Sequence, residues 1–161
     1  MSVIDRDRGW VKLKAELSRA AGGMSGKAGI IGTKAAEEHP SADGQPLTNA
    51  EMALIHEFGL GVPERSFLRA AFDKNHPKYL ERLNVLTQAI FEGKFTIQQA
   101  LGLLSLEAAS DMRNLIRDGA GVPPPNAPAT IARKGSSRPL VDTGQLINSI
   151  SHAVERGTPK E

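Results

Sequence analysis

The run TIQQALGLLSLEAASDMRNLIRD, residues 96 to 118, sets the terms for the rest of the chain. Thr96 and Gln99 make a capping box, in which each side chain satisfies a backbone amide that a helix start leaves unpaired. Ile97, Leu101, Leu104, Ala108, Met112 and Leu115 then recur at helical spacing, and no proline interrupts them before Gly119. A helix this long with one apolar stripe cannot stand alone in water. The other segments must supply what covers it.

Three further helices are legible. Trp10, Leu13, Leu17 and Ala21 mark an amphipathic helix over residues 9–21, stopped by Gly22 and Gly23. Thr48 and Glu51 form a second capping box, opening a helix that runs to Phe58 and stops at Gly59. Phe67, Leu68, Ala71 and Phe72 begin a third, continued by Tyr79, Leu83, Leu86 and Ile90 and expected to kink or restart at Pro77, since proline removes a donor and crowds the preceding turn. Residues 34–46 read as a polar acidic loop. KAGIIGT (27–33) reads as a strand, and ISHAVE (150–155) alternates with the period of another. Two such strands can pair with each other or with those of another copy. Between them, GAGVPPPNAPATIARKGSSRPLV (119–141) is rich in proline and has no acid, with a short helix expected over Ala129 to Lys134. Asp142 and Gln145 are placed to cap a last short helix.

The fold class expected is α+β and helix-rich, a small antiparallel sheet flanked by several amphipathic helices in one domain spanning 1–161. Within it, 1–26 is an N-terminal helix and link, 27–118 a strand and helical core, 119–141 a proline-rich basic loop, and 142–161 a short helix, strand and tail. With 40% hydrophobic and only 4% aromatic residues, the core must be aliphatic. The absence of cysteine excludes disulfides and thiolate metal sites. No membrane span is expected, because no apolar run has the length for one. The net charge of +2 hides segregation: residues 1–34 carry seven Lys/Arg and three acids, residues 35–64 six acids and no Lys/Arg. Such polarity favours head-to-tail contact between copies, although it also serves simply to keep the surface solvated.

Catalytic patterns fail on inspection. His56-Glu57 opens like the zinc-protease helix, but Leu60 stands where the second histidine belongs. AGGMSGKA (21–28) has Ala21 and Ala28 where a phosphate loop needs glycine and a hydroxyl. The four histidines, His39, His56, His76 and His152, are scattered, and there is no nucleophile elbow. We therefore expect no catalytic residue, no metal and no cofactor. Arg133, Lys134 and Arg138 form a basic cluster without interleaved aromatics, which fits a solvated loop, a phosphate-contacting loop or an arm onto a protein neighbour.

Taken together, IHEFG (Ile55 to Gly59), VPERSF (Val62 to Phe67), TIARKG (Thr130 to Gly135) and PLVDTGQL (Pro139 to Leu146) resemble the spaced blocks of the tail-completion and head-tail joining proteins of tailed bacteriophages and prophages. Ser66 departs from that pattern, which has proline there, and is expected to loosen the turn before Phe67. The resemblance implies a non-enzymatic subunit of a homo-oligomeric ring, six copies in all, at the head-proximal end of a phage tail. Its partners would be the tail tube protein and the head-tail connector, with genomic DNA passing non-specifically through the lumen. Its place would be the virion neck, reached from the host cytoplasm. The candidate interface comprises His56, Glu57, Arg65, Phe67 and Arg69 at the joint, with Arg133, Lys134, Arg138, Asp142 and Thr143 on the basic loop and the block after it. Arg65 is expected to pair with Glu57 or Asp142, within one chain or across two, and core burial is the plain alternative for Phe67. The competing functions are a DNA-binding accessory protein contacting duplex phosphates and a metal hydrolase built on His56 and Glu57.

Overall fold

The computed structural model describes residues 9–39, 46–118, 122–135, 137–141 and 144–157. Seven helices and four strands follow in the order α1 (Trp10–Ala20), β1 (Met24–Ile30), α2 (Thr33–Ala36), β2 (Glu38–His39), β3 (Leu47–Thr48), α3 (Asn49–Phe58), α4 (Leu68–Phe91), α5 (Ile97–Asp118), α6 (Pro128–Lys134), α7 (Gln145–Ser149) and β4 (Ile150–Arg156). The architecture is α+β and helix-rich, as the periodicities predict. The strands of the two ends pair with each other: β1 and β4 run antiparallel from Met24 opposite Arg156 to Ile30 opposite Ile150. The span 34–46, expected as loop, instead holds most of α2 and all of β2, which pairs with β3 through Glu38 opposite Thr48 and His39 opposite Leu47. The side chain of Asn49, fully buried, locks this region by donating to the Lys34 carbonyl at 2.9 Å.

Helix α5 is the wall to which the rest is fastened. One side meets α4 and the other lies across both β1 and β4. This two-sided packing explains why the buried row is not the apolar stripe. Ala100, Ser105, Ala109, Met112, Leu115 and Ile116 are buried, whereas Ile97, Leu101, Leu104 and Ala108 are only half-buried. Small residues let the sheet come close: a Cβ on Gly26 would lie 3.1 Å from the Leu101 carbonyl oxygen and 3.4 Å from Ser105 Cβ. The Ser105 hydroxyl turns back to the Leu101 carbonyl at 2.7 Å, so its burial leaves no unpaired donor. The capping box is present, with the Gln99 amide donating to the Thr96 hydroxyl at 3.1 Å and Gln99 Oε1 accepting from the Thr96 amide at 2.9 Å.

Helix α4 continues through Pro77 as one helix, so the chain does not restart there. Proline here costs the bond to the Asp73 carbonyl, and both residues are exposed, so water can satisfy that oxygen. Immediately beyond it α4 is tied to α5: Lys78 and Tyr79 both donate to Asp111, at 2.6 and 3.0 Å, and Lys78 also reaches Glu107 at 3.3 Å. Burial and the neighbouring Asp111 carboxylate push the Tyr79 hydroxyl well above its ordinary pKa, so it remains a donor throughout the physiological range.

The core gathers Phe67 just before α4, Ala71 of α4, Ala109, Met112, Leu115 and Ile116 of α5, Leu146 and Ile147 of α7, and Ile150 at the start of β4. Helix α1 contributes little to it. Its expected face is open, with Trp10 at 65% and Leu17 at 49% exposure, while the buried side chain is Glu16, paired with Arg19. β1 begins three residues earlier than the strand expected at 27–33, because its pairing partner reaches to Arg156. The expected stop at Gly119 lies outside the described residues. Helix α7 starts from Gly144 without a side-chain cap, and Asp142, assigned that role, also lies outside them.

The close approach of β1 to α5 makes a direct test. Gly26→Val should lower stability by about 1–3 kcal/mol, because its side chain must displace the Leu101 backbone or the sheet. Thermal unfolding followed by circular dichroism checks this. A melting temperature equal to that of the unsubstituted chain would show that the sheet does not sit this near.

Candidate functional site

Four of the residues singled out from sequence meet where α3 hands over to α4. Helix α3 ends at Gly59, whose φ of 68° lies in the left-handed region and whose missing side chain leaves room for Glu64; a Cβ there would come within 2.9 Å of the Glu64 amide nitrogen. The chain then doubles back so that the Arg65 amide donates to the His56 carbonyl at 2.8 Å. This places residues 66–69 directly over the last turn of α3.

Helix α4 lacks a capping side chain of its own, since Phe67 occupies the N-cap position. Its exposed amides are satisfied from outside, by the buried carboxylate of Glu57. One oxygen accepts from the amides of Phe67 (2.9 Å) and Leu68 (3.0 Å). The other accepts from the Arg69 amide (3.0 Å), the Ser66 hydroxyl (2.8 Å) and Arg69 Nε (3.0 Å). A negative charge at a helix start is favoured by the amide dipoles as well as by the individual bonds. Burial alone would raise the Glu57 pKa, but the Leu68 and Arg69 amides, the Ser66 hydroxyl and the Phe67 amide outweigh it, and the group is held below its usual value.

Arg69 closes the arrangement. Its guanidinium donates to the Glu57 carbonyl at 2.9 Å and to Glu64 at 2.8 Å, and it lies 5.0 Å from the centre of the Phe58 ring. Arg69, not Arg65, is thus the partner of Glu57. Arg65 points the other way, donating to the carbonyls of Pro124 (3.1 Å) and Pro125 (3.4 Å). From the far side of the same loop, Asn126 donates to the Arg138 carbonyl at 3.0 Å. The proline-rich segment, which contains a cis bond between Pro123 and Pro124, is therefore held at three consecutive residues, Pro124 to Asn126. Its outer side borders an open cleft of about 430 Å³ lined by Asp118, Val122, Pro123 and Arg138.

The remaining residues of the expected set divide as follows. Phe67 is fully buried, and Glu57 and Arg65 are nearly so, at 4% and 8% exposure. These three are buried within the chain and tie its own elements together. His56 is half-buried and joins through its carbonyl. Arg133 and Arg138 are exposed, and Lys134 closes α6. Asp142 and Thr143 lie outside the described residues. Ser66, expected to weaken the turn, strengthens it through the bond to Glu57. Sequence reading missed Asn126 and the roles of Ser66 and Glu64; the absent cap residue before Leu68 is the signal that an outside acceptor was needed. Among the described residues no group of three or more His, Cys, Asp or Glu is placed to hold a metal ion, and both oxygens of Glu57 are committed to amides, a hydroxyl and a guanidinium. No described helix is long and apolar enough to cross a membrane.

Comparison with protein-family models, with curated proteins and with solved structures returns no match.

Replacing the carboxylate removes an acceptor serving five donors. Glu57→Gln should cost about 2–4 kcal/mol at neutral pH, since an amide cannot accept all of them and turns its own donors toward theirs. Because the folded pKa is depressed, the carboxylate contribution is complete above the usual value of 4.5 and is lost as pH falls through the lower folded value. Denaturant unfolding across pH should therefore show the gap between the two proteins narrowing below that point. A gap unchanged down to strong acid would refute the capping role. Gly59→Ala, strained in φ and crowded against Glu64, should destabilise by about 1–3 kcal/mol in the same assay.

Proposed function

We propose that the chain is a structural subunit of the ring that completes a bacteriophage tail at its head-proximal end and joins it to the head connector. The observation that carries this reading is the meeting of three of the four spaced sequence blocks at one joint, which also holds the segment leading to the remaining block. Ile55 to Gly59 supplies Glu57, Val62 to Phe67 supplies the turn that Glu57 caps, and Arg65 of that turn grips the proline-rich segment leading to Thr130 to Gly135. Phe67 shares one buried cluster with Leu140 and Leu146 of the fourth block. Residues that make up a family-like pattern while 90 positions apart in sequence are thereby accounted for by one joint.

The surface supports an assembling subunit. Helix α4 leaves Phe72, Leu80, Leu83 and Phe91 between 43% and 63% exposed, and α1 leaves Trp10 and Val11 exposed as well. Apolar side chains of this size in such number favour burial against another protein. In this reading Arg133 and Arg138, exposed on α6 and the segment after it, face the connector or the passing DNA.

Particles made in a host infected with phage lacking this chain decide the matter. Electron microscopy should show filled heads and separate, unjoined tails, with infectious yield lost and restored by supplying the chain in trans. Normal virions would overturn the proposal. Duplex binding whose affinity falls steeply with salt, together with normal head-tail joining, would instead favour the DNA-binding alternative.

A further inference from the structure

The two-stranded sheet has two edges, and the hydrogen-bond pattern shows what each offers. The Gly157 amide donates to the Gly23 carbonyl at 2.9 Å, continuing the register of β1 and β4 by one pair. Antiparallel pairs alternate between bonded and non-bonded, so the odd-numbered residues bond across the subunit's own sheet and the even-numbered ones point their amides and carbonyls outward. Arg113 agrees with this assignment, because it reaches round to the outward carbonyl of Ile150. That leaves Met24, Gly26 and Ala28 on the edge of β1, and His152, Val154 and Arg156 on the edge of β4. Among the described residues no backbone hydrogen bond outside the sheet reaches these six.

Among the described residues neither edge carries the usual devices within its own strand. Both strands are seven residues long, with no proline and no bulge in their pairing, whereas exposed edges are ordinarily shortened, kinked or covered. A two-stranded sheet is also the least stable kind, and gains most from added strands.

We propose that the edge of β4 in one copy takes the edge of β1 in a second copy as its next antiparallel strand, in the register the subunit already uses internally. The free positions match one for one: His152 faces Ala28 of the next copy, Val154 faces Gly26, and Arg156 faces Met24. Side chains of even-numbered residues point to α5, as the approach of Gly26 to Leu101 and of Val154 to Gly102 records. Pairing even with even therefore keeps the helices of both copies on one side of the extended sheet. Charge is compatible with the same arrangement and disfavours two of the symmetric alternatives. On the opposite, open face Lys27 and Glu155 already bridge diagonally at 2.6 Å within a subunit, and the proposed pairing repeats that diagonal between copies. Joining β1 to β1 about a Lys27 centre would set two lysines face to face, and joining β4 to β4 about a Glu155 centre would do so with two glutamates. The contact is heterologous, so every copy offers both halves and the series can close into a ring. The pairing supplies the subunit contact for the ring proposed above and rests on that reading only for closure.

The chain has no cysteine, which makes cross-linking clean. Ser25→Cys and Glu155→Cys, made in separate proteins, fall opposite each other only across the proposed contact, in a non-bonded pair where Cβ atoms approach to about 4.5–5.5 Å. After mild oxidation of an equimolar mixture, a disulfide-linked dimer should dominate a denaturing gel, and neither protein oxidised alone should give one. Circular dichroism confirms that both variants remain folded; the lost Lys27 bridge is exposed and costs little. A third protein, Arg133→Cys, mixed with each, reports random collision. Equal dimer in that control, dimer from either variant alone, or no dimer at all would overturn the proposal. Rings visible by electron microscopy without cross-linking would overturn the edge contact alone, and the ring reading would stand on its own deletion test.

Discussion

One buried carboxylate holds the two halves of the helical framework in register. Glu57 belongs to the last turn of α3, yet its oxygens serve as the N-terminal cap of α4. Since α4 in turn packs on α5, and α5 on the sheet, this contact links α3 to the largest packed layer of the fold. A desolvated carboxylate is ordinarily a liability. Here the cost is offset by three amides, a hydroxyl and a guanidinium, and the same amides would otherwise be orphaned at the helix start. The joint is polar, buried and nearly saturated, so it fixes geometry where an apolar contact would allow sliding.

Legibility in the sequence follows from what kind of signal each feature carries. Helix α5, both capping boxes, the stop at Gly59 and the short helix before Gly135 were readable because they depend on side chains near in sequence. The buried row of α5 was not, since a helix packed on two sides has no single apolar face and its small residues were chosen by the sheet opposite. Glu57 was picked out for its neighbour His56 and given Arg65 as partner. Its true acceptor role involves backbone amides, which no letter of the sequence marks, and an arginine twelve residues away. Pro77 shows the reverse: the helix continues past a residue expected to interrupt it, at an exposed position where water can satisfy the carbonyl it leaves unpaired.

Rigidity is distributed unevenly as a result. The joint and the gripped proline-rich segment form one tightly bonded region around Phe67. Helix α1 and the outer face of α4 are attached by fewer contacts and leave large apolar groups in water. The fold thus carries exposed apolar groups on a densely hydrogen-bonded frame.

The pairing of β1 with β4 also orders events in time. Lys27 and Glu155, which touch across it, are 128 residues apart in the chain. Closing so long a loop is slow relative to forming the helices between. On the ribosome, where roughly 5–20 residues are added each second, β1 must wait several seconds for its partner. A chain broken off before β4 would keep its helices but have no second strand.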